Sequence, residues 1–225
     1  MYVRVEGPDD GPNKGVAVLT IARADKKNAL SNAVRDEMSD ALDRLAADES
    51  LKALVITGEG DVFSAGFDLG EFDRMQEPGF ADTWMTSSDR WHRTVIEFPL
   101  PVIAAVNGPA LAGGFDLAVM CDIRVAAETA RFAHPEQTFS DVVYGPLHDL
   151  VGGAVARDLC MTGRPVGAEE ALAMRLVTSV VPAGEVVEEA RGLAALVARA
   201  PRDVLLRTKA KAVRRAAVVG STLDL

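Results

Sequence analysis

Twice in this chain a short apolar run gives way at once to a turn of small residues and then to a segment that can be helical. Ala53-Leu54-Val55-Ile56-Thr57 leads into Phe63-Ser64-Ala65-Gly66-Phe67-Asp68-Leu69. Val102-Ile103-Ala104-Ala105-Val106 leads into Asn107-Gly108-Pro109-Ala110-Leu111-Ala112-Gly113-Gly114-Phe115-Asp116. Runs with no polar alternation read as buried strands. At a strand–turn–helix junction the first backbone N–H groups lack intrahelical partners and point outward. Two such junctions, brought together, would offer paired donors to a carbonyl oxygen that gains negative charge during a reaction. The pattern therefore predicts an α/β fold and an enzyme that stabilises an oxyanion.

The other elements follow from periodicity and punctuation. Val16 to Ile21 reads as a strand. Ser31 can cap a helix in which Val34, Met38, Ala41, Leu42 and Leu45 share one face. A helix is expected from about 79 to 97, ended by Pro99 and Pro101. Further expectations are a helix opening near Gly114, a strand over 121–127, an extended piece at 131–133, and helical segments over 148–162 and 167–175. The β-branched run Val177 to Val181 reads as a strand. Val186, Val187, Ala190, Leu193, Ala194 and Val197 share a helical face, and Pro201 starts a last helix.

With 225 residues the chain fits one large domain or two small ones. The formal net charge of −9 argues against nucleic acid or an anionic membrane as a partner. Arg23, Lys26 and Lys27 form a local basic group that could still hold a small anion. Cys121 and Cys160 read as buried free thiols. His92, His134 and His148 are scattered, and no Cys/His spacing matches a metal site, so no metal is expected. No stretch approaches the length of a membrane span and no leader is evident, so the expected location is the cytoplasm.

The two turns closely resemble those of the crotonase superfamily, the enoyl-CoA hydratase/isomerase family, whose members show A-G-x-D-L after one strand and G-x-A-x-G-G-[GFC]-[ED]-L after the next. The likeness continues through Met120-Cys121-Asp122-Ile123-Arg124-Val125-Ala126 and Arg131-Phe132-Ala133-His134-Pro135-Glu136. It returns in Thr162-Gly163-Arg164, Ala168-Glu169-Glu170-Ala171 and Leu176 to Val181, so that it spans roughly residues 15 to 210. The resemblance implies one crotonase-like domain over 1–225. Its core, 1–200, would be a spiral of ββα units with flanking helices, and 201–225 would be a shortened C-terminal helix. Typical members carry further C-terminal helices that cover the acyl pocket and join trimers; a homotrimer or hexamer is implied.

The resemblance also implies an acyl-CoA substrate, with no cofactor beyond the coenzyme A that the substrate carries. The thioester oxygen would lie between the amides of Phe67 and Gly113. Such a donor is typically worth about 3–4 kcal/mol in the transition state. Glycine at 113 and 114 would let the substrate approach the backbone. Asp116 and Glu136 occupy the positions of the two hydratase glutamates and would handle water and protons. Asp116 is one methylene shorter than the usual residue; a helix-start aspartate that only stabilises the dipole is the alternative. Lys27, Ala29, Leu30, Ala65, Asp68, Leu69 and Gly114 would line the CoA side, and Gly70 stands where a lysine is often found.

Asp141, Tyr144 and His148 replace a glycine-rich segment and are candidate specificity residues. The implied activity is reversible hydration of a trans-2-enoyl-CoA. Alternatives are an enoyl-CoA isomerase using Glu136 alone, a CoA-independent C–C hydrolase of β-diketones using His148 or Asp141, and a non-catalytic subunit that keeps the fold.

Overall fold

The computed structural model describes residues 1–8, 14–216 and 225. Six strands form one sheet: β1 (Val3–Glu6), β2 (Val16–Ile21), β3 (Ala53–Gly58), β4 (Val102–Val106), β6 (Ile123–Ala127) and β9 (Ser179–Val181), in the spatial order β1-β2-β3-β4-β6-β9. In this sheet only the edge strand β1 is antiparallel; β2, β3, β4, β6 and β9 run parallel. The unbroken apolar runs follow from burial on both faces. Val16, Val18, Ala53, Val55, Ile103 and Ala105 pack on one side against helix α7 (Val186–Ala198) through Val186, Ala190 and Ala194. Ala17, Leu19, Leu54, Ile56, Ala104 and Val106 face the larger core on the other side, with α1 (Asn32–Ala47) and α2 (Phe80–Ile96).

A second sheet contains β5 (Ala110–Leu111), β7 (Arg131–Ala133) and β8 (Val166–Gly167). Strand β4 is followed by β5 and then by helix α3 (Gly113–Met120); β6 is followed by β7. In each case the first strand lies in the large sheet and the second in the small one. Earlier turns of the chain extend this row through single bridges, Ser64 with Ala110 and Leu30 with Phe67. This is the expected spiral of ββα turns.

Several boundaries differ from the sequence expectation, for local reasons. The strand expected from 121 starts at Ile123, because Cys121 caps α3 and its Sγ donates to the Leu117 carbonyl at 3.2 Å. The helix expected over 148–162 is two helices, α4 (Gly145–Val151) and α5 (Gly153–Thr162), parted at Gly152, where φ is +78°. The strand expected at 177–181 begins at Ser179, since the Leu176 and Val177 amides donate to the Ala171 carbonyl and close helix α6 (Ala168–Ala173). The last helix, α8, runs from Arg202 to Ala216. Of the stretch 201–225 assigned to a C-terminal helix, 217–224 lies outside the described residues. Among the described residues no helix is long and apolar enough to cross a membrane.

Candidate active site

Neighbouring parallel strands end at the same edge of a sheet, so pairing β3 with β4 places the two turns side by side. They are then locked by backbone contacts. The Leu111 amide donates to Ser64 O at 2.9 Å and the Phe63 amide to Pro109 O at 3.0 Å. Asn107 ties the strand ends together: its Oδ1 accepts from Gly58 N at 3.1 Å and its Nδ2 donates to Gly60 O at 2.8 Å. A Cβ on Gly114 would stand 2.3 Å from Ser64 O. Gly114 is therefore required for turn-to-turn packing. Ala112, between the turn and α3, has φ 50° and ψ −130°, a conformation costing on the order of 1–3 kcal/mol in a non-glycine residue. Its carbonyl accepts the Phe115 and Asp116 amides. Among the described residues, the Phe67 and Gly113 amides donate to no protein acceptor. Both residues line a cavity of about 240 Å³.

Asp116 and Glu136 line the same cavity. The first lies in the opening turn of α3, the second in a short 3-10 helix after β7. His134 joins them. Its Nδ1 lies 2.9 Å from Glu136 Oε1 and 3.7 Å from Asp116 Oδ1, and its side chain is fully buried. Asp116 Oδ1, Glu136 Oε2 and His134 Nε2 are buried without a hydrogen-bond partner in the protein. Burial pushes the Asp116 carboxyl up to about 7; the charge of Glu136 adds to the rise and His134 opposes it. Burial alone would lower the His134 imidazole, but the hydrogen bond to Glu136 and the two carboxylate charges outweigh it, and the net shift is upward. The ligand atoms of Asp116, His134 and Glu136 all lie within 4.8 Å of one another, so the group is also a candidate cation site. The expectation of no metal rested on spacing along the chain, which says nothing of residues gathered from separate elements.

A second cavity of about 340 Å³ shares Phe67, Phe72, Trp84, Asp116, Ser140 and Asp141 with the first. Its remaining walls are mostly apolar, from Met75, Ala81, Met85, Val142 and Val143, with Ser88 and His92 from α2. A narrow polar floor at one end of an aromatic recess is the usual form of a site for a largely apolar ligand with one reacting polar group.

The sequence profile of the enoyl-CoA hydratase/isomerase family matches residues 11–222. The chain belongs to that family. A Thermus thermophilus protein assigned as an enoyl-CoA hydratase is 40% identical over 199 residues, covering 86% of this chain and 79% of the relative. The mitochondrial enoyl-CoA hydratase of Pongo abelii is 35% identical over 184 residues, covering 80% of this chain and 62% of the relative. Among solved structures, the enoyl-CoA hydratase of Bacillus anthracis superposes with a TM-score of 0.84 at 28% identity, covering 96% of this chain and 89% of that one.

Within this family member the other residues singled out from sequence divide into two groups. Ala65, Leu69 and Asp141 line the cavity that Phe67 and Gly113 share. Lys27, Ala29 and Leu30 are stitched to the first turn by backbone: Ala65 N donates to Lys27 O at 3.0 Å and Leu30 N to Gly66 O at 2.8 Å. Asp68 is committed to structure, pairing with Arg23 at 2.6 Å and accepting from Gly70 N at 3.0 Å. Arg23 also donates to Ala29 O, so the basic group expected for an anion reduces to the exposed Lys26 and Lys27. Tyr144 and His148 do not line either cavity; the α4 backbone carries His148 outward, where it is exposed and faces Asp149 at 3.5 Å. Cys121 and Cys160 are free and buried, and burial pushes their thiols up to about 12 and about 11.

Three residues of the site had no assigned role in the sequence reading. His134 was visible only as part of the Pro135-Glu136 context. His92 was one of three scattered histidines. Arg35 looked like a polar position on α1, yet it is fully buried behind the first turn. Its Nη1 donates to Leu30 O at 2.7 Å, and its guanidinium lies 4.9 Å from the Phe67 ring centroid and 5.0 Å from that of Trp84. A charge in a position flanked by Val34 and Met38 was the available clue, since charged residues on a buried face need partners.

Proposed function

We propose that this protein is an enoyl-CoA hydratase that adds water reversibly to a trans-2-enoyl-CoA. The observation that carries the reading is the gathering of Asp116, His134 and Glu136 beside the unpartnered amides of Phe67 and Gly113. The two amides would receive the thioester oxygen, drawing charge from the conjugated double bond and making C3 electrophilic. Glu136 would act as base: His134 fixes its Oε1, and its Oε2 is left to accept from water. The water oxygen bonds to C3 as its proton passes to Glu136. The enolate then collapses, and Asp116, which holds a proton near neutrality, delivers it to C2. Aromatic walls exclude competing water from the acyl chain.

Of the two residues that a CoA-independent C–C hydrolase would draw on, His148 lines neither cavity and Asp141 lines both. The reading requires no cofactor beyond the coenzyme A of the substrate. A homotrimeric or hexameric assembly in the cytoplasm belongs to the same proposal and rests on the family likeness. The direct test is hydration of crotonyl-CoA and longer enoyl-CoAs, followed by loss of absorbance of the conjugated thioester. Folded protein that turns over none of them would defeat the assignment.

A further inference from the structure

Asp116, His134 and Glu136 offer more than a path for protons. One ligand atom from each lies within 4.8 Å of the other two. His134 Nδ1 stands 2.9 Å from Glu136 Oε1 and 3.7 Å from Asp116 Oδ1, so both carboxylates face one nitrogen. The Asp116 side chain is 6% exposed, and the Oδ1 that faces this nitrogen has no hydrogen-bond partner in the protein. Glu136 Oε2 is buried without a partner as well. The cavity that Asp116 and Glu136 line also carries Asp141, and among the described residues no lysine or arginine lines it. Leu69 and Phe139, 70% and 65% exposed, line the same cavity, which therefore opens to solvent.

A divalent cation meets all of these conditions. It takes lone pairs from several buried oxygens at once and supplies the missing positive charge. Zinc holds nitrogen and oxygen ligands at about 2.0–2.2 Å, which in a tetrahedral site separates neighbouring ligand atoms by roughly 3.3–3.6 Å. The separations of 2.9 Å and 3.7 Å flank that range, so shifts of about half an ångström bring the three atoms onto one ion. One imidazole with two carboxylates suits zinc, whereas magnesium prefers six oxygens and keeps its waters. We propose that Asp116, His134 and Glu136 bind a zinc ion, and that zinc held there inhibits water addition. The binding stands on the geometry of the three side chains; the inhibition rests on the hydratase reading. Zinc engages the carboxylate with which Glu136 would accept from water, and it displaces to solvent the protons that Asp116 and His134 Nδ1 hold. His134 Nε2 has no protein partner, so the site lacks the outer hydrogen bond that tightens metal-bound imidazoles by about 10–100-fold. Binding that a chelator reverses is expected in consequence.

Equilibrium dialysis of chelator-treated protein against zinc chloride tests the binding without any turnover. One zinc per chain is expected, and His134→Gln and Asp116→Asn are each expected to weaken it about tenfold or more. His148→Ala removes the exposed pair of His148 with Asp149 and is expected to leave the binding unchanged. Absence of binding to the wild type up to millimolar zinc, binding that survives in His134→Gln, or binding that vanishes in His148→Ala overturns the proposal. Should the site variants fail to fold, the anomalous signal of zinc in wild-type crystals decides. A zinc peak within about 2.3 Å of His134 Nδ1 supports the assignment, and zinc found only elsewhere overturns it. Steady-state hydration of crotonyl-CoA at low substrate then tests the inhibition. The rate is expected to fall about tenfold at ten times the dissociation constant for zinc and to return with chelator. An undiminished rate with zinc bound overturns the inhibition. Zinc-free protein that hydrates no enoyl-CoA removes the hydratase reading and the inhibition with it, whereas the binding is judged by dialysis alone.

Discussion

The two walls of the site are held by different kinds of contact. On one side the turns at 63–67 and 107–114 meet through backbone atoms. A Cβ on Gly108 would stand 1.9 Å from Asp61 O, and one on Gly66 would stand 2.7 Å from Leu111 O. On the other side, α2 and the segment 139–143 present side chains: Trp84, Met85, Ser88, His92, Ser140, Asp141, Val142 and Val143. Backbone contacts at such distances cannot be relieved by a change of rotamer, whereas a side-chain wall can be recut residue by residue. In the proposed hydratase the first wall would fix the reacting atoms and the second would fix what else the ligand must look like.

Substitutions on each wall should separate these roles. The largest effect is expected from Gly114→Ala, whose new methyl meets Ser64 O at 2.3 Å. Separating the turns should cost roughly 3 kcal/mol of stability or more, and about a thousandfold in kcat/KM with crotonyl-CoA. A variant with unchanged melting temperature and activity would show that the turns are not locked. Next is Glu136→Gln, which keeps the shape and removes the base. A loss of about 100-fold to 10,000-fold in kcat is expected, with the melting temperature retained.

Asp116 gives a third test, through pH. Its carboxyl has an ordinary value of 3.8 and is pushed up to about 7 in the fold, so the folded chain binds that proton more tightly than the unfolded chain. Its contribution to stability is fully present below 3.8 and is lost as pH rises through about 7. As the proposed acid it should also give kcat/KM a falling alkaline limb centred near pH 7. Thermal melts of wild type and Asp116→Asn should diverge in favour of the variant above that pH; parallel curves would contradict the buried-carboxyl account. If Asp116→Asn also leaves hydration intact, Glu136 suffices alone, as an isomerase would require. The smallest effect belongs to the side-chain wall. Trp84→Phe should raise KM severalfold for long acyl chains and leave kcat for crotonyl-CoA nearly unchanged, as measured by steady-state kinetics across chain length.

Much of this arrangement was readable in advance. The strands β2, β3 and β4 were legible because each is apolar at nearly every position, and Ser31 does cap α1, accepting from Val34 N at 3.4 Å. The turns were legible because two of them recur after apolar runs, in the order and spacing that the family resemblance implies. The boundaries near Cys121, Gly152 and Val177 were less so, since each depends on a single hydrogen bond or one residue in the left-handed region. The segment 141–148 divides in space in a way its sequence does not show. Its polar residues are adjacent in sequence, yet Asp141 precedes α4 and lines the cavities while His148 rides on α4 and points away.

By itself, the order of residues determined the buried strands, the two glycine-bearing turns and the family to which the chain belongs, because those follow from local patterns along the chain. Only the tertiary structure decided that His134 would stand between two carboxylates, that Asp116 would hold its proton near neutrality, and that Arg35 would lie fully buried beside Phe67 and Trp84. Each depends on how completely water is removed from a group and on which charges replace it, and both are set by residues distant in the chain.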